Sequence, residues 1–146
     1  MATLSKEAPH IRIGMICHGD YCDTSNYVMK NEYFTKNQEK LQKFVSDCGQ
    51  TSGGDGDECY ELVLRKAKKM FRKEKNHASA QLLVLIGDAN PHGVDYPQNT
   101  QRINWRTEVK ELAANQVTVM GIQCGNDSSA SEFYKTISSE TGGQHI

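Results

Sequence analysis

No stretch of this chain approaches the roughly 20 apolar residues of a membrane-spanning helix. Its opening, Met-Ala-Thr-Leu-Ser-Lys-Glu-Ala-Pro, lacks the basic and apolar regions of a secretory signal. Net charge is nearly absent too. With 17 basic and 18 acidic side chains, no global field draws the protein onto nucleic acid or a membrane surface. Repeats and linkers are missing, so the 146 residues read as one domain with a single core. Cys17, Cys22, Cys48, Cys59 and Cys124 are an odd number at low density, which predicts free thiols and a cytoplasmic setting. Catalytic signatures are lacking as well: no Gly-x-Ser-x-Gly elbow, no Gly-x-x-x-x-Gly-Lys-Ser/Thr phosphate loop, no Gly-x-Gly-x-x-Gly, no Cys-x-x-Cys. An enzyme is not expected.

The most informative stretch present is Leu82-Leu83-Val84-Leu85-Ile86-Gly87-Asp88-Ala89-Asn90-Pro91-His92-Gly93. Five apolar residues without alternation predict a strand buried on both faces, as in a parallel sheet. Asp88 then falls at the carboxyl end of that strand, where open α/β sheets place their ligand sites. Earlier lies Thr51-Ser52-Gly53-Gly54-Asp55-Gly56-Asp57-Glu58, an acidic loop leading into a helix.

Around these loops, strand and helix patterns alternate. Residues 11–17 and 27–34 read as strands, the second an edge strand because of Lys30, Asn31 and Glu32. Thr35-x-x-Gln38 predicts a capping box, followed by Leu41, Phe44, Val45 and Cys48 at helical spacing before Gly49. Tyr60, Val63, Leu64, Ala67, Met70 and Phe71 form a second stripe, and Trp105, Val109, Leu112 and Ala113 a third. Val117 to Ile122 is a further strand, Ser129-x-x-Glu132 caps a last helix with Phe133 and Ile137, and Gln144-His145-Ile146 opens another strand. Such alternation predicts a three-layer α/β/α, doubly wound, mostly parallel sheet.

Asp55, Asp57, Glu58 and Asp88, with the hydroxyls of Thr51 and Ser52, are the hard oxygen ligands that magnesium, manganese or calcium prefer. The same acids also suit a helix dipole or cap the next helix, so both readings stand at this point. A single Gly-Gly-Asp-Gly-Asp run cannot stack as a calcium-binding β-roll. His92 follows Asp88 in a Pro-Gly turn and reads as a loop-fixing group, since hard-cation sites rarely recruit imidazole. Cys17, His18, Cys22 and Asp23 could suggest zinc, but no matching Cys/His pair follows, which leaves Cys17 as a core thiol. The basic run from Arg65 to Lys75 lies opposite the Val63–Ala67–Met70 stripe and reads as a solvated helix face.

Gly-Gly-Asp-Gly-Asp-Glu followed by Leu-Leu-Val-Leu-Ile-Gly-Asp-Ala-Asn-Pro-His resembles a von Willebrand factor type A domain. The resemblance extends to residues 11–16 with Asp20 and Asp23, to Val117–Ile122 and to Glu140-Thr141-Gly142-Gly143, covering nearly the whole chain in order. Asp55 to Glu58 and Asp88 to His92 are similar to the integrin β-subunit version. It implies a non-enzymatic, adhesion- or scaffold-type module whose bound divalent ion is completed by an acidic side chain of a partner protein. Glu58 and Asp88 would lead the metal ligands, with Thr51 and Asp55 next. Asp20, Asp23, Asp57, Asn90 and His92 would form the partner-binding rim.

One departure is an absence. The family's first metal loop, Asp-x-Ser-x-Ser, occurs nowhere in the sequence, and residues 3–9 resemble the end of the helix that should follow it. The chain therefore reads as a single, N-terminally truncated domain over residues 1–146 without the usual first central strand. Magnesium, or manganese or calcium, should bind weakly or not at all with so few charged ligands. Strands 11–17 and 82–86 should flank the missing strand, either pairing directly or accepting one from another chain. The competing readings are a metal-assisted α/β hydrolase and an inert fragment of a larger protein.

Overall fold

A computed structural model describes residues 10–74 and 80–146. The helix tail expected over residues 3–9, and Lys75 of the basic run, lie outside those residues. The chain is a mixed α/β protein. Its order is β1 (Ile13–His18), β2 (Met29–Thr35), α1 (Gln38–Ser46), β3 (Asp57–Glu58), α2 (Tyr60–Lys73), β4 (Gln81–Gly87), β5 (Asn90–Pro91), α3 (Trp105–Ala114), β6 (Val117–Gln123) and α4 (Ser131–Ser139).

Three short strand pairs carry the backbone. β4 runs parallel to β6 in register from Gln81 opposite Val117 to Gly87 opposite Gln123, with α3 in the crossover. His145 then bridges in parallel to Gly121 on β6, bearing out the strand start expected at the end of the sequence. β1 instead pairs antiparallel with β2, from Met15 opposite Glu32 to His18 opposite Met29. This departs from a mostly parallel sheet, because the ten residues between the two strands allow a direct return and no crossover helix. Among the described residues, β1 and β4 pair with one strand each and not with each other.

The core forms where α2, α3 and α4 meet the inner face of the β4–β6 pair. Tyr60, Leu64, Phe71, Leu85, Val109, Leu112, Val119, Phe133, Tyr134 and Ile137 are buried together, with Trp105 packed edge-on to Phe133 at 5.1 Å. The apolar stripes at 3.6-residue spacing account for these helices. β4 is not buried on both faces. Leu85 turns inward, while Leu82, Val84 and Ile86 are 50, 43 and 58% exposed. Unbroken apolarity makes both faces apolar, but only packed neighbours bury them.

Local details differ in three places. Asn37, not Thr35, caps α1 by accepting from the Lys40 N–H at 2.9 Å, while Thr35 accepts from Asn37 N. α1 buries Leu41 but leaves Val45 exposed. Ser129 does not cap α4; its N–H donates to Asp127 at 2.8 Å, and Ala130 occupies the cap position. The basic run is no simple solvated face. Lys68 is buried and ion-paired with Glu108 and Glu111, Arg65 reaches Glu108 at 2.9 Å, and Arg72 reaches Glu111 at 3.2 Å. α3 brings acids that no reading of α2 alone could show. Among the described residues no helix is long and apolar enough to cross a membrane.

Candidate functional site

Three loops converge at one rim: residues 18–25 after β1, 50–58 before α2, and 88–96 after β4. The meeting is made by backbone as well as side chains. β3 pairs in parallel with β5, setting Asp57 opposite Asn90 and Glu58 opposite Pro91, and the His92 N–H donates to Glu58 O at 3.3 Å. The two acidic turns therefore meet.

Asp23 ties the first loop to the second. Its carboxylate accepts from the N–H groups of Asp20 at 2.8 Å, Ser52 at 3.0 Å and Gly53 at 3.2 Å, and from the Ser52 hydroxyl at 3.2 Å. Those bonds, the backbone N–H of Asp20 first, hold its pKa below the ordinary carboxylate value. Gly53 sits at φ +62°, a left-handed conformation that glycine adopts without strain. At Gly19 a side chain would press within 2.5 Å of the Asp23 carboxylate and 2.8 Å of Thr51 Cβ.

Asp20 ties the first loop to the third. Its Oδ1 lies 2.6 Å from His92 Nε2, across 72 positions of sequence, and both side chains are almost fully buried. The His92 ring stacks on Tyr96 at 3.7 Å with the planes 10° apart, and the His92 backbone N–H also donates to Glu61 Oε2 at 3.1 Å. Glu61 is itself buried and accepts the Tyr21 hydroxyl at 2.6 Å. Burial raises the Glu61 pKa, and it raises Tyr21 as well, where Glu61 adds to the effect. Asp55 accepts the Tyr96 hydroxyl at 3.0 Å, and burial followed by that bond pushes the Tyr96 pKa up to about 12.

Glu58 is the electrostatic centre of the rim. Burial first, then the charges of Asp20, Asp23 and Asp88, push its pKa from 4.5 up to about 7. Its Oε2 is buried and, among the described residues, has no hydrogen-bond partner; the nearest basic atom is His18 Nδ1 at 3.9 Å. Burial lowers the His18 pKa, so that imidazole is a poor source of compensating charge. Nearby, the Asp88 N–H bonds to the Tyr60 hydroxyl at 3.3 Å, and Tyr60 stacks on Phe133 at 5.5 Å, fixing the end of β4 to the core.

Of the residues named from sequence, Glu58 and Asp88 are brought close enough for Asp88 to act on the Glu58 charge. Asp55 is grouped instead with Asp20 and His92, and Thr51 packs beside Gly19. Asp88 and Asp55 are exposed, Asp57 and Asn90 half-buried. Asp20, Asp23 and His92, expected at the rim, are buried and bind loop to loop. Sequence reasoning passed over Glu61, Tyr21 and Tyr96. A signal existed for Glu61: it falls in line with Leu64 and Lys68 on the buried face of α2.

The donors present are carboxylates and hydroxyls, a set suited to a hard divalent cation. The unpartnered Glu58 oxygen and the raised Glu58 pKa fit such an ion, because a cation relieves the repulsion that burial and three neighbouring acids impose. No family model matches the chain, and no curated protein matches it in sequence.

Proposed function

We propose that this chain is a von Willebrand factor A-like module, three-layered and doubly wound, that binds another protein through a divalent-metal-dependent rim and performs no catalysis. Glu58 and Asp88 would hold magnesium, with Asp55 and Thr51 at the margin of the site. A carboxylate from the partner would fill a remaining coordination position. With the Asp-x-Ser-x-Ser loop missing from the sequence, magnesium keeps most of its water and binds weakly until the partner arrives.

One observation carries this reading: Glu58 is a half-buried acid facing three other acids, with one oxygen left without a partner. That arrangement costs stability, and a cation offsets the cost. Among the described residues β1 pairs with β2 alone and β4 with β6 alone, which also suits the resemblance, where the strand between them is lacking.

The test is thermal unfolding at pH 7.5 with increasing magnesium or manganese, on wild type, Glu58→Gln and Asp88→Ala. A rise in Tm in wild type that both variants lose supports the site. Equal shifts in all three proteins remove it. Capture of a partner protein that depends on the ion and on Asp88 then separates a binding module from a metal hydrolase, for which turnover of phosphate or ester substrates is diagnostic.

A further inference from the structure

We propose that Asp20, Asp55 and His92 form a second metal site, beside the Glu58–Asp88 pair and selective for a divalent ion of the zinc class. One ligand atom from each of the three lies within 4.8 Å of the others. Tetrahedral zinc holds nitrogen and oxygen ligands at about 2.0–2.2 Å, which sets neighbouring ligands roughly 3.3 Å apart. The 2.6 Å Asp20–His92 contact needs to open by less than about 1 Å, and the separations to Asp55, all within 4.8 Å, to close by no more than about 1.5 Å. Imidazole with two carboxylates favours zinc over magnesium, which takes oxygen ligands and gives up water reluctantly.

The surroundings do for these side chains what outer partners do in metal sites. Tyr96 stacks flat on the His92 ring and donates its hydroxyl to Asp55 Oδ2, so one residue positions two ligands. Cys22 Sγ–H donates to Asp20 Oδ2 at 3.5 Å, on the carboxylate atom that does not face His92. The His92 backbone is anchored to Glu58 O and to Glu61. Asp20 and His92 are 0 and 2% exposed, whereas Asp55 is exposed, leaving one open side through which an ion can enter and keep a water or a partner's carboxylate as fourth ligand. The charge balance points the same way. Among the described residues no lysine or arginine forms an ion pair with Asp20, Asp23, Asp55, Asp57, Glu58 or Asp88.

The purified chain is titrated with zinc and, separately, with magnesium by calorimetry, while NMR follows the ring nitrogens of His92. The expected result is one zinc equivalent, a large shift of His92 Nε2, and a loss of zinc affinity of more than about 100-fold in His92→Gln, beyond what removal of an outer partner costs. Asp55→Asn, at an exposed position, should weaken zinc by more than about tenfold, and Glu58→Gln by no more than about threefold. Zinc bound without movement of the His92 resonance, or with equal affinity in Asp55→Asn, overturns the proposal and leaves Asp20–His92 as an ion pair that joins two loops. Should His92→Gln fail to fold, the wild-type resonance and Asp55→Asn still decide. Loss of magnesium binding alone, in Glu58→Gln, touches the other site and not this one.

Discussion

The face where α2 meets α3 and the rim where three loops meet both gather charge, and they handle it in opposite ways. Between the helices, Glu108 and Glu111 are matched by Arg65, Lys68 and Arg72, so burial of Lys68 is compensated. At the rim, Glu58, Asp20, Asp23 and Asp88 crowd together, and among the described residues imidazoles alone form ion pairs with them. Asp23 is relieved by backbone N–H donors and Asp20 by His92, so the repulsion falls chiefly on Glu58, and that is what motivates the proposed cation site.

The contrast can be broken from the core outward. Phe133→Ala, which removes the ring stacked on Tyr60 and met edge-on by Trp105, should cost about 3–5 kcal/mol in urea unfolding. The folded fraction should still respond to magnesium; if it does not, rim and core are one cooperative unit. Lys68→Met leaves the buried Glu108 carboxylate without its nearest cation and should cost about 3 kcal/mol. A change below about 1 kcal/mol would mean that Arg65 alone compensates Glu108.

The rim should behave with the opposite sign. The Glu58 carboxyl titrates near 7 in the folded chain against an ordinary 4.5, so between those values the folded state binds more protons than the unfolded one. Stability should therefore fall as pH rises from about 4.5 to about 7, by on the order of 2 kcal/mol. Glu58→Gln should flatten that slope and raise Tm at pH 8. A variant less stable than wild type at pH 8 would show that the carboxylate is compensated after all. The smallest effect belongs to Asp88→Ala, an exposed change expected to alter stability by less than about 0.5 kcal/mol while removing the magnesium-induced rise in Tm.

The helices were legible because their apolar stripes repeat at 3.6 residues, and Tyr60, Val63, Leu64, Ala67, Met70 and Phe71 are buried as that spacing predicts. Caps were less so. Thr35 and Ser129 carry the right chemistry, but Asn37 takes the Lys40 N–H in place of Thr35, and Ser129 gives its own N–H to Asp127 without capping α4. The two loops were recognisable as acid-rich turns at a strand end and a helix start, yet the full grouping of their side chains was not. Asp55 is expected with Glu58 and Asp88 because two acidic turns meet, and the structure also sets it beside Asp20 and His92.

What the sequence determined alone is local: where strands and helices lie, which faces are apolar, and that two turns are rich in hard oxygen donors. Hydrophobic periodicity and turn chemistry act over a few residues and can be read there. Tertiary structure decided the rest. It buried Asp20 against His92, matched the basic face of α2 with acids from α3, and left Leu82, Val84 and Ile86 facing outward. Burial and charge compensation are properties of neighbours in space, and those neighbours lie tens of residues apart along the chain.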